Sequence, residues 1–345
     1  DLVRSRGLGD VYKRQLYTLL IMFPVLASAQ INTDRVMAIG RNALYFEDYV
    51  LSIQYFNQVI NAKPYLSDPY FYRGLAKINL DDFQGAESDC SEAIERNPFV
   101  VSAYQVRGLA RIQQNNFAGA IEDYTKALEF DPENIGVWHN MALCRIRQED
   151  YKGAKNDLDK LIAISPRYTK AYLMRGEVDL KQKDTLAAEK DFGKAIEIDR
   201  YDADTWASRA ILRLQQQRYK DAEADFDHAI RLSTRNSGVY INRALARYHQ
   251  NNLRGAMSDY DIALDIDPNN FIGHYNRGLL RAQVGDDNRA IQDFNFVIEM
   301  EPDNMMAIFN RGLLLDQTGD YKGAIKDYST VINEYPNFLL GYQYR

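Results

Sequence analysis

Between Val101 and Asn134 apolar residues recur at steps of three and four. Tyr104, Gly108 and Ile112 share one stripe, the pattern breaks at Asn115-Asn116, and it resumes through Phe117, Ala120, Tyr124, Ala127 and Leu128. Such steps place one face of a helix in a core, and a polar pair between two stripes marks a turn. The window therefore predicts helix, short turn, helix, and then a second turn carrying Pro132. Proline lacks the amide proton a helix interior needs, so it belongs in the connection between hairpins or in the first turn of the next helix.

The same pattern returns every 34 residues. Pro64, Pro98, Pro132, Pro166, Pro268, Pro302 and Pro336 fall in one register, with Arg200 and Thr234 in the two remaining slots. The eighth place of each unit is small (Gly40, Gly74, Gly108, Ala142, Gly176, Ala210, Ala244, Gly278, Gly312), and the twentieth is Ser52 and then alanine from Ala86 to Ala324. Nine units follow without an insertion: 33–66, 67–100, 101–134, 135–168, 169–202, 203–236, 237–270, 271–304 and 305–338. Small residues let the two helices of a hairpin approach closely, and an aromatic at the twenty-fourth place fills the space beside them. One hairpin cannot bury both of its faces, so each depends on its neighbours for cover.

This register, with an aromatic at the fourth place, Gly or Ala at the eighth, Ala at the twentieth, an aromatic at the twenty-fourth and Pro at the thirty-second, resembles the tetratricopeptide repeat (TPR) family. The resemblance covers residues 33–338 and implies an all-α fold, a right-handed superhelical solenoid of about nine helix-turn-helix units. Cys90 and Leu158 depart from the aromatic at the twenty-fourth place, His274 and Ile308 from the Tyr or Trp at the fourth, and Val59, Leu161, Val297 and Val331 from the small residue at the twenty-seventh. These departures put local helix spacing in question. Residues 339–345 open a tenth unit, with Tyr342 at its fourth place and Arg345 at its seventh. The expectation is a longer natural protein, and the alternative function is a sensor region for an enzymatic or signalling domain past Arg345.

The chain of 345 residues has 42 basic and 48 acidic side chains, a formal charge of −6. Without a basic face it offers little to a phosphate backbone, which excludes nucleic acid as an expected partner. Residues 16–29, LYTLLIMFPVLASA, are apolar and end in Ala27-Ser28-Ala29, the pattern of an export signal cleaved after Ala29. Residues 1–15 end in DVYKRQ, which resembles translated adaptor sequence, and are set aside as non-native. Removing 1–29 takes away four basic and two acidic residues, leaving 38 against 46, or −8. An exported, periplasmic chain with no membrane span after cleavage is expected.

Arginine recurs at the seventh place (Arg73, Arg107, Arg175, Arg209, Arg243, Arg277, Arg311), interrupted only by Met141, and aspartate recurs at the twenty-third (Asp89, Asp123, Asp157, Asp191, Asp225, Asp259, Asp293, Asp327). Matching periods of opposite charge predict a structural ladder of pairs within or between units, with Arg107–Asp123, Arg209–Asp225, Arg243–Asp259 and Arg277–Asp293 as examples, over a basic stripe for an acidic ligand. The resemblance implies that first helices line a concave groove in which asparagine at the sixth place bonds a bound peptide. Asn140, Asn242, Asn276 and Asn310 hold that place, and Phe71, Leu75, Leu109, His139, Leu143, Ile211, Ile241, Leu245, Tyr275, Leu279, Phe309 and Leu313 adjoin it. Many of these are explained equally well as packing residues. The carboxylate clamp of chaperone-binding relatives needs Lys at the fifth place and Asn at the ninth, and neither occurs here.

Two expected helices intervene between those of Cys90 and Cys144, which puts the thiols too far apart to pair. The four histidines, His139, His228, His249 and His274, stand in separate units without ligand spacing, and Asp265-Ile-Asp267-Pro-Asn269 lacks the glycine of a calcium loop. No catalytic constellation, cofactor motif or metal set stands apart from the repeat. The expected function is a non-enzymatic scaffold binding a protein or peptide in the groove, with self-association as a further possibility.

Overall fold

The computed structural model describes residues 32–233 and 235–345, and all regular structure among them is helical. Nine hairpins follow the 34-residue register: α1 (Thr33–Tyr45) with α2 (Tyr49–Ala62), α3 (Asp68–Ile78) with α4 (Phe83–Arg96), α5 (Val101–Gln113) with α6 (Phe117–Phe130), and α7 (Ile135–Arg147) with α8 (Tyr151–Ile164). Then come α9 (Thr169–Lys181) with α10 (Thr185–Ile198), α11 (Ala203–Gln215) with α12 (Tyr219–Leu232), α13 (Ser237–His249) with α14 (Leu253–Ile266), α15 (Phe271–Gln283) with α16 (Asp287–Met300), and α17 (Met305–Gln317) with α18 (Tyr321–Glu334). The short α19 (Leu339–Tyr344) follows. The export segment and residues 1–15 lie outside the described residues.

The turn inside each hairpin is built the same way nine times. Its fifteenth-place residue has positive φ, from 59° to 65° at Glu47, Asp81, Asn115, Glu149, Lys183, Gln217 and Asn251, and 82° and 90° at Gly285 and Gly319. The next residue's N–H reaches back to the eleventh-place carbonyl, as in Asn116 to Arg111 at 2.8 Å, which closes the first helix with a Schellman-type bond. Left-handed backbone costs an ordinary L residue ~1–2 kcal/mol, so only the last two turns use the residue that adopts it freely. The sixteenth-place side chain then caps the second helix in seven repeats. Asp48, Asp82, Asn116, Asp150, Asp184, Asn252 and Asp320 each accept a backbone N–H three residues on, at 2.9–3.1 Å. Such a cap contributes ~1 kcal/mol.

The chain forms two compact units divided between Ser165 and Pro166. In the first, α1–α8 pack as four hairpins, with α2, α4 and α6 also packing on the next first helix. In the second, α9–α18 form five hairpins in the same manner, with α19 against α18. First helices of successive repeats also touch: α1 with α3 and α3 with α5 in the first unit, and α9 with α11, α11 with α13 and α15 with α17 in the second. They thus share one face of their unit, with the second helices behind them.

Inside a hairpin the eighth and twenty-fourth places are in contact. A Cβ on Gly108 would lie 2.7 Å from the Tyr124 ring, and one on Gly176 only 2.5 Å from Phe192. The ring can therefore lie flat on the opposite backbone, and burying it contributes ~1.5–3 kcal/mol. The departures from the pattern are absorbed locally: Cys90, Leu158, Val59, Leu161, Val297 and Val331 are all buried, and Ile308 is too.

Candidate functional site

The recurring charges are the most regular polar feature. Arg209 on α11 donates from Nε and Nη2 to the two carboxylate oxygens of Asp225 on α12, at 2.8 and 2.9 Å. The same fork joins Arg73 to Asp89, Arg175 to Asp191, Arg243 to Asp259, Arg277 to Asp293 and Arg311 to Asp327 at 2.5–3.1 Å. Arg107 reaches Asp123 through Nε and Nη2, the shortest contact being 2.6 Å. The aspartates are almost fully buried. A guanidinium matches a carboxylate in two bonds at once, which suits it to this position. The arginines also tie repeats together through the twenty-fifth place of the preceding one. Arg73 Nη1 donates to Asn57, Arg107 to Ser91, Arg243 to Asp227, Arg277 to Asp261 and Arg311 to Asn295.

A second cation, at the eleventh place, escaped the sequence reading. Lys77, Arg111, Arg145, Arg213, Arg247 and Arg281 reach the same aspartates from one turn further along the first helix, at 2.7–3.0 Å. Arg111, Arg213 and Arg247 also hold Glu87, Glu189 and Glu223 at the twenty-first place of the repeat before. The signal was present as a four-residue offset from the seventh-place arginines. It went unseen because Lys, Asp179 and Leu315 break the row at the eleventh place.

Repeat four lacks the seventh-place arginine. Met141 is buried there in an apolar cluster with Val137, Cys144, Tyr104 and Tyr124. Asp157 is left with Arg145, whose Nε donates to it at 2.7 Å while Nη1 goes to Asp150 at 2.8 Å. Burial pushes the Asp157 carboxyl up to about 6 against the attraction of Arg145, and the nearby Asp150 charge adds to the rise. Asp89, Asp123, Asp225, Asp259 and Asp293 each take two cations, Asp191 and Asp327 keep the seventh-place fork without an eleventh-place cation, and Asp157 shows what loss of the fork leaves.

The sixth-place asparagines divide into two pairs. Asn310 donates to the Tyr275 hydroxyl at 3.2 Å, so two expected groove residues bond each other. Asn140 lies by Tyr124, whose phenol is raised by burial with the Asn140 amide pulling weakly the other way. The geometry there is too poor to satisfy that buried hydroxyl. Asn242 and Asn276 are half-buried and make no side-chain hydrogen bond among the described residues.

The neighbouring apolar positions divide as well. Phe309 is enclosed rather than exposed, with Phe338 edge-on at 5.0 Å and Tyr344 at 5.9 Å, because α19 lies across it. Ile241 is buried too. Phe71 packs half-buried beside Tyr70, Ala93 and Ala103, and His139, Leu75, Leu143, Ile211, Leu245 and Leu313 are half-buried. Leu109 and Leu279 remain exposed. In the second unit the N-terminal turns of α15 and α17 add exposed apolar residues that the sequence reading did not single out. Phe271, Ile272, Tyr275, Asn304 and Met306 line a cleft of about 250 Å³.

Other chemistry is sparse. Cys90 and Cys144 are free and buried, and burial raises both thiols, to about 12 and about 11. Three histidines stack on rings, His228 on Trp206, His249 on Tyr219 and His274 on Phe296. His274 also bonds Asp293 at 2.9 Å. Among the described residues no three His, Cys, Asp or Glu side chains gather as a metal site. No described helix is long and apolar enough to cross a membrane.

Hairpins in an unbroken 34-residue register, tied by buried ion pairs and presenting a shared first-helix face, define a helical repeat array of the protein-interaction class. The family model described as TPR repeat matches residues 108–144, and models described as tetratricopeptide repeat match 135–168, 169–202, 208–271 and 275–337. The chain belongs to the tetratricopeptide repeat family, whose members bind protein or peptide partners. No curated protein sequence is significantly similar to it. Among solved structures it is similar to a tetratricopeptide repeat protein from Parabacteroides merdae, 21% identical with a TM-score of 0.56, covering 72% of this chain and 98% of that one. The C-terminal part of a TPR repeat-containing protein from Cytophaga hutchinsonii is 17% identical with a TM-score of 0.56, covering 70% and 98%. The pilF protein of Pseudomonas aeruginosa is 19% identical with a TM-score of 0.53, covering 63% and 97%. At these identities the likeness is one of fold.

Proposed function

We propose that the first-helix face of the second unit binds an extended segment of a protein partner. Asn242 and Asn276 would pair with its main chain, and the Phe271–Ile272–Tyr275–Met306 cleft would take an apolar side chain. The observation carrying this reading is the pairing of two amides that have no side-chain hydrogen bond with an exposed apolar cleft on the same family of helices. A half-buried amide offers both a donor and an acceptor, the complement of a peptide bond, while the apolar pocket supplies affinity. The ladder arginines make poor ligand contacts by comparison, since each already holds a buried carboxylate.

The test is calorimetry with a peptide selected by display against the chain, repeated with Asn242→Ala/Asn276→Ala. Two net hydrogen bonds at ~0.5–1.5 kcal/mol each predict a loss of roughly 5- to 150-fold in affinity. Unchanged affinity would remove the groove reading. A companion proposal, resting on residues 16–29, is that the mature chain works in the periplasm. N-terminal sequencing of the protein from a periplasmic fraction should then begin at Gln30.

A further inference from the structure

The sixth repeat stands between the two turns that lack the periodic proline, at Arg200 and Thr234. At the first of these the second unit has a cleft of about 440 Å³, lined mainly by the ends of two second helices and the turn between repeats. Ile196 and Glu197 at the end of α10, Arg200 and Tyr201 in the turn, Trp206 on α11, and His228, Arg231 and Leu232 at the end of α12 line it. Its volume lies in the lower part of the ~300–1,000 Å³ range of small-ligand clefts.

Trp206 is its floor. The indole donates to the Arg200 carbonyl at 2.9 Å, His228 stacks on it at 4.3 Å and 17°, and the Arg209 guanidinium carbon lies 5.1 Å from its centroid. With the indole so engaged, the open apolar surface belongs to Tyr201, 76% exposed, with Leu232 and the outer side of His228. Trp138 makes the same bond, to the Pro132 carbonyl at 2.8 Å, but there a proline holds the slot that Arg200 takes here.

The rim is cationic. Most first-helix arginines of the array hold carboxylates, yet Arg200 and Arg231 are exposed and form no ion pair among the described residues. The nearby acids are engaged: Glu197 with Lys194 at 3.0 Å, Asp199 with the Tyr201 N–H at 2.9 Å, and Asp202 with the Thr205 hydroxyl and the Asp204 N–H. Two unpaired guanidinium groups beside an exposed aromatic surface, on a chain of net negative charge, complement an acidic segment that carries a ring.

We propose that this cleft is a second docking site, which recognises a partner segment bearing an aromatic side chain flanked by Asp or Glu. The ring lies against Tyr201, His228 and Leu232, and the flanking carboxylates meet Arg200 and Arg231.

The chain has two tryptophans, so ¹⁵N-indole labelling gives one reporter at the cleft and one control. Titration of the full chain with Ac-Asp-Phe-Asp-NH₂ should shift the Trp206 indole resonance saturably and leave Trp138 in place. Ac-Asp-Ala-Asp-NH₂ and Ac-Lys-Phe-Lys-NH₂ should bind at least tenfold more weakly. Arg200→Glu/Arg231→Glu should weaken the first peptide at least tenfold, and so should Tyr201→Ala, a change at an exposed side chain that keeps the test open should the double variant misfold. Asn242→Ala/Asn276→Ala should leave the Trp206 response intact, which separates this site from the groove. No Trp206 shift at millimolar peptide, an equal response to the lysine peptide, or undiminished binding by the folded variants would overturn the proposal.

Discussion

Replacing Arg209 by Met would give repeat six the arrangement that repeat four has by nature. Asp225, buried beneath α11, would lose bonds of 2.8 and 2.9 Å and keep only Arg213 Nη1 at 2.8 Å. Asp157 shows the cost of that state. Buried without the seventh-place fork, its carboxyl rises from 3.8 to about 6, which at ~1.36 kcal/mol per pH unit penalises the ionised form by ~3 kcal/mol. That figure sits at the lower end of the ~3–5 kcal/mol for breaking a buried pair by removing one partner. Loss of the guanidinium from the Trp206 ring adds ~0.5–1 kcal/mol. Because a repeat array opens locally, the loss should appear in α11 and α12 first. Hydrogen exchange followed by mass spectrometry should show amides in residues 203–232 exchanging roughly 100-fold faster at pH 7, with α1–α6 unchanged. Arg209→Lys should fall between the two, since an ammonium cannot reproduce the fork. Unchanged protection in α11 and α12, or an equal loss throughout the chain, would refute the ladder as the tie between these helices.

Asp157 itself predicts a pH dependence. Its pKa is higher in the folded state, so its contribution is present in full below 3.8 and is lost as pH rises through about 6. The melting temperature of the wild type relative to Asp157→Asn should therefore fall between pH 5 and pH 7.5, and a flat or rising difference would refute the assignment. Cys90 and Cys144, buried and with raised thiols, should resist iodoacetamide at pH 8 in the folded chain and react within minutes in guanidinium chloride. Labelling of either thiol at the rate of a free peptide would contradict their packing.

The repeat was legible because each of its signals is local. The helix over 101–113, the turn around Asn115 and the helix over 117–130 follow from side-chain periodicity and the polar break alone. Less was legible about the candidate site. Asn140, Asn242, Asn276 and Asn310 hold the same place in the repeat, yet Asn310 bonds Tyr275 and Asn140 lies by Tyr124, while Asn242 and Asn276 form no side-chain hydrogen bond among the described residues. These are contacts with the preceding repeat, 35 and 16 residues away, and the offset alone does not encode them, since Tyr260 precedes Asn276 by the same 16 residues as Tyr124 precedes Asn140. Whether Phe309 serves as a groove or a packing residue is open in the sequence for a related reason, since its exposure depends on where α19 lies.

By itself the sequence determined the period, the hairpin and the matching rows of Arg and Asp, because a 34-residue register repeated nine times overdetermines which positions face inward and which charges can meet. Only the tertiary structure decided that five of the buried aspartates take two cations, that Asp157 in repeat four lacks the fork, and that the turn at Arg200 opens a cleft with two arginines at its rim that form no ion pair among the described residues. Those outcomes depend on distances between side chains from different repeats, and a distance across a packed interface is set by the volumes of all the residues between, not by their spacing along the chain.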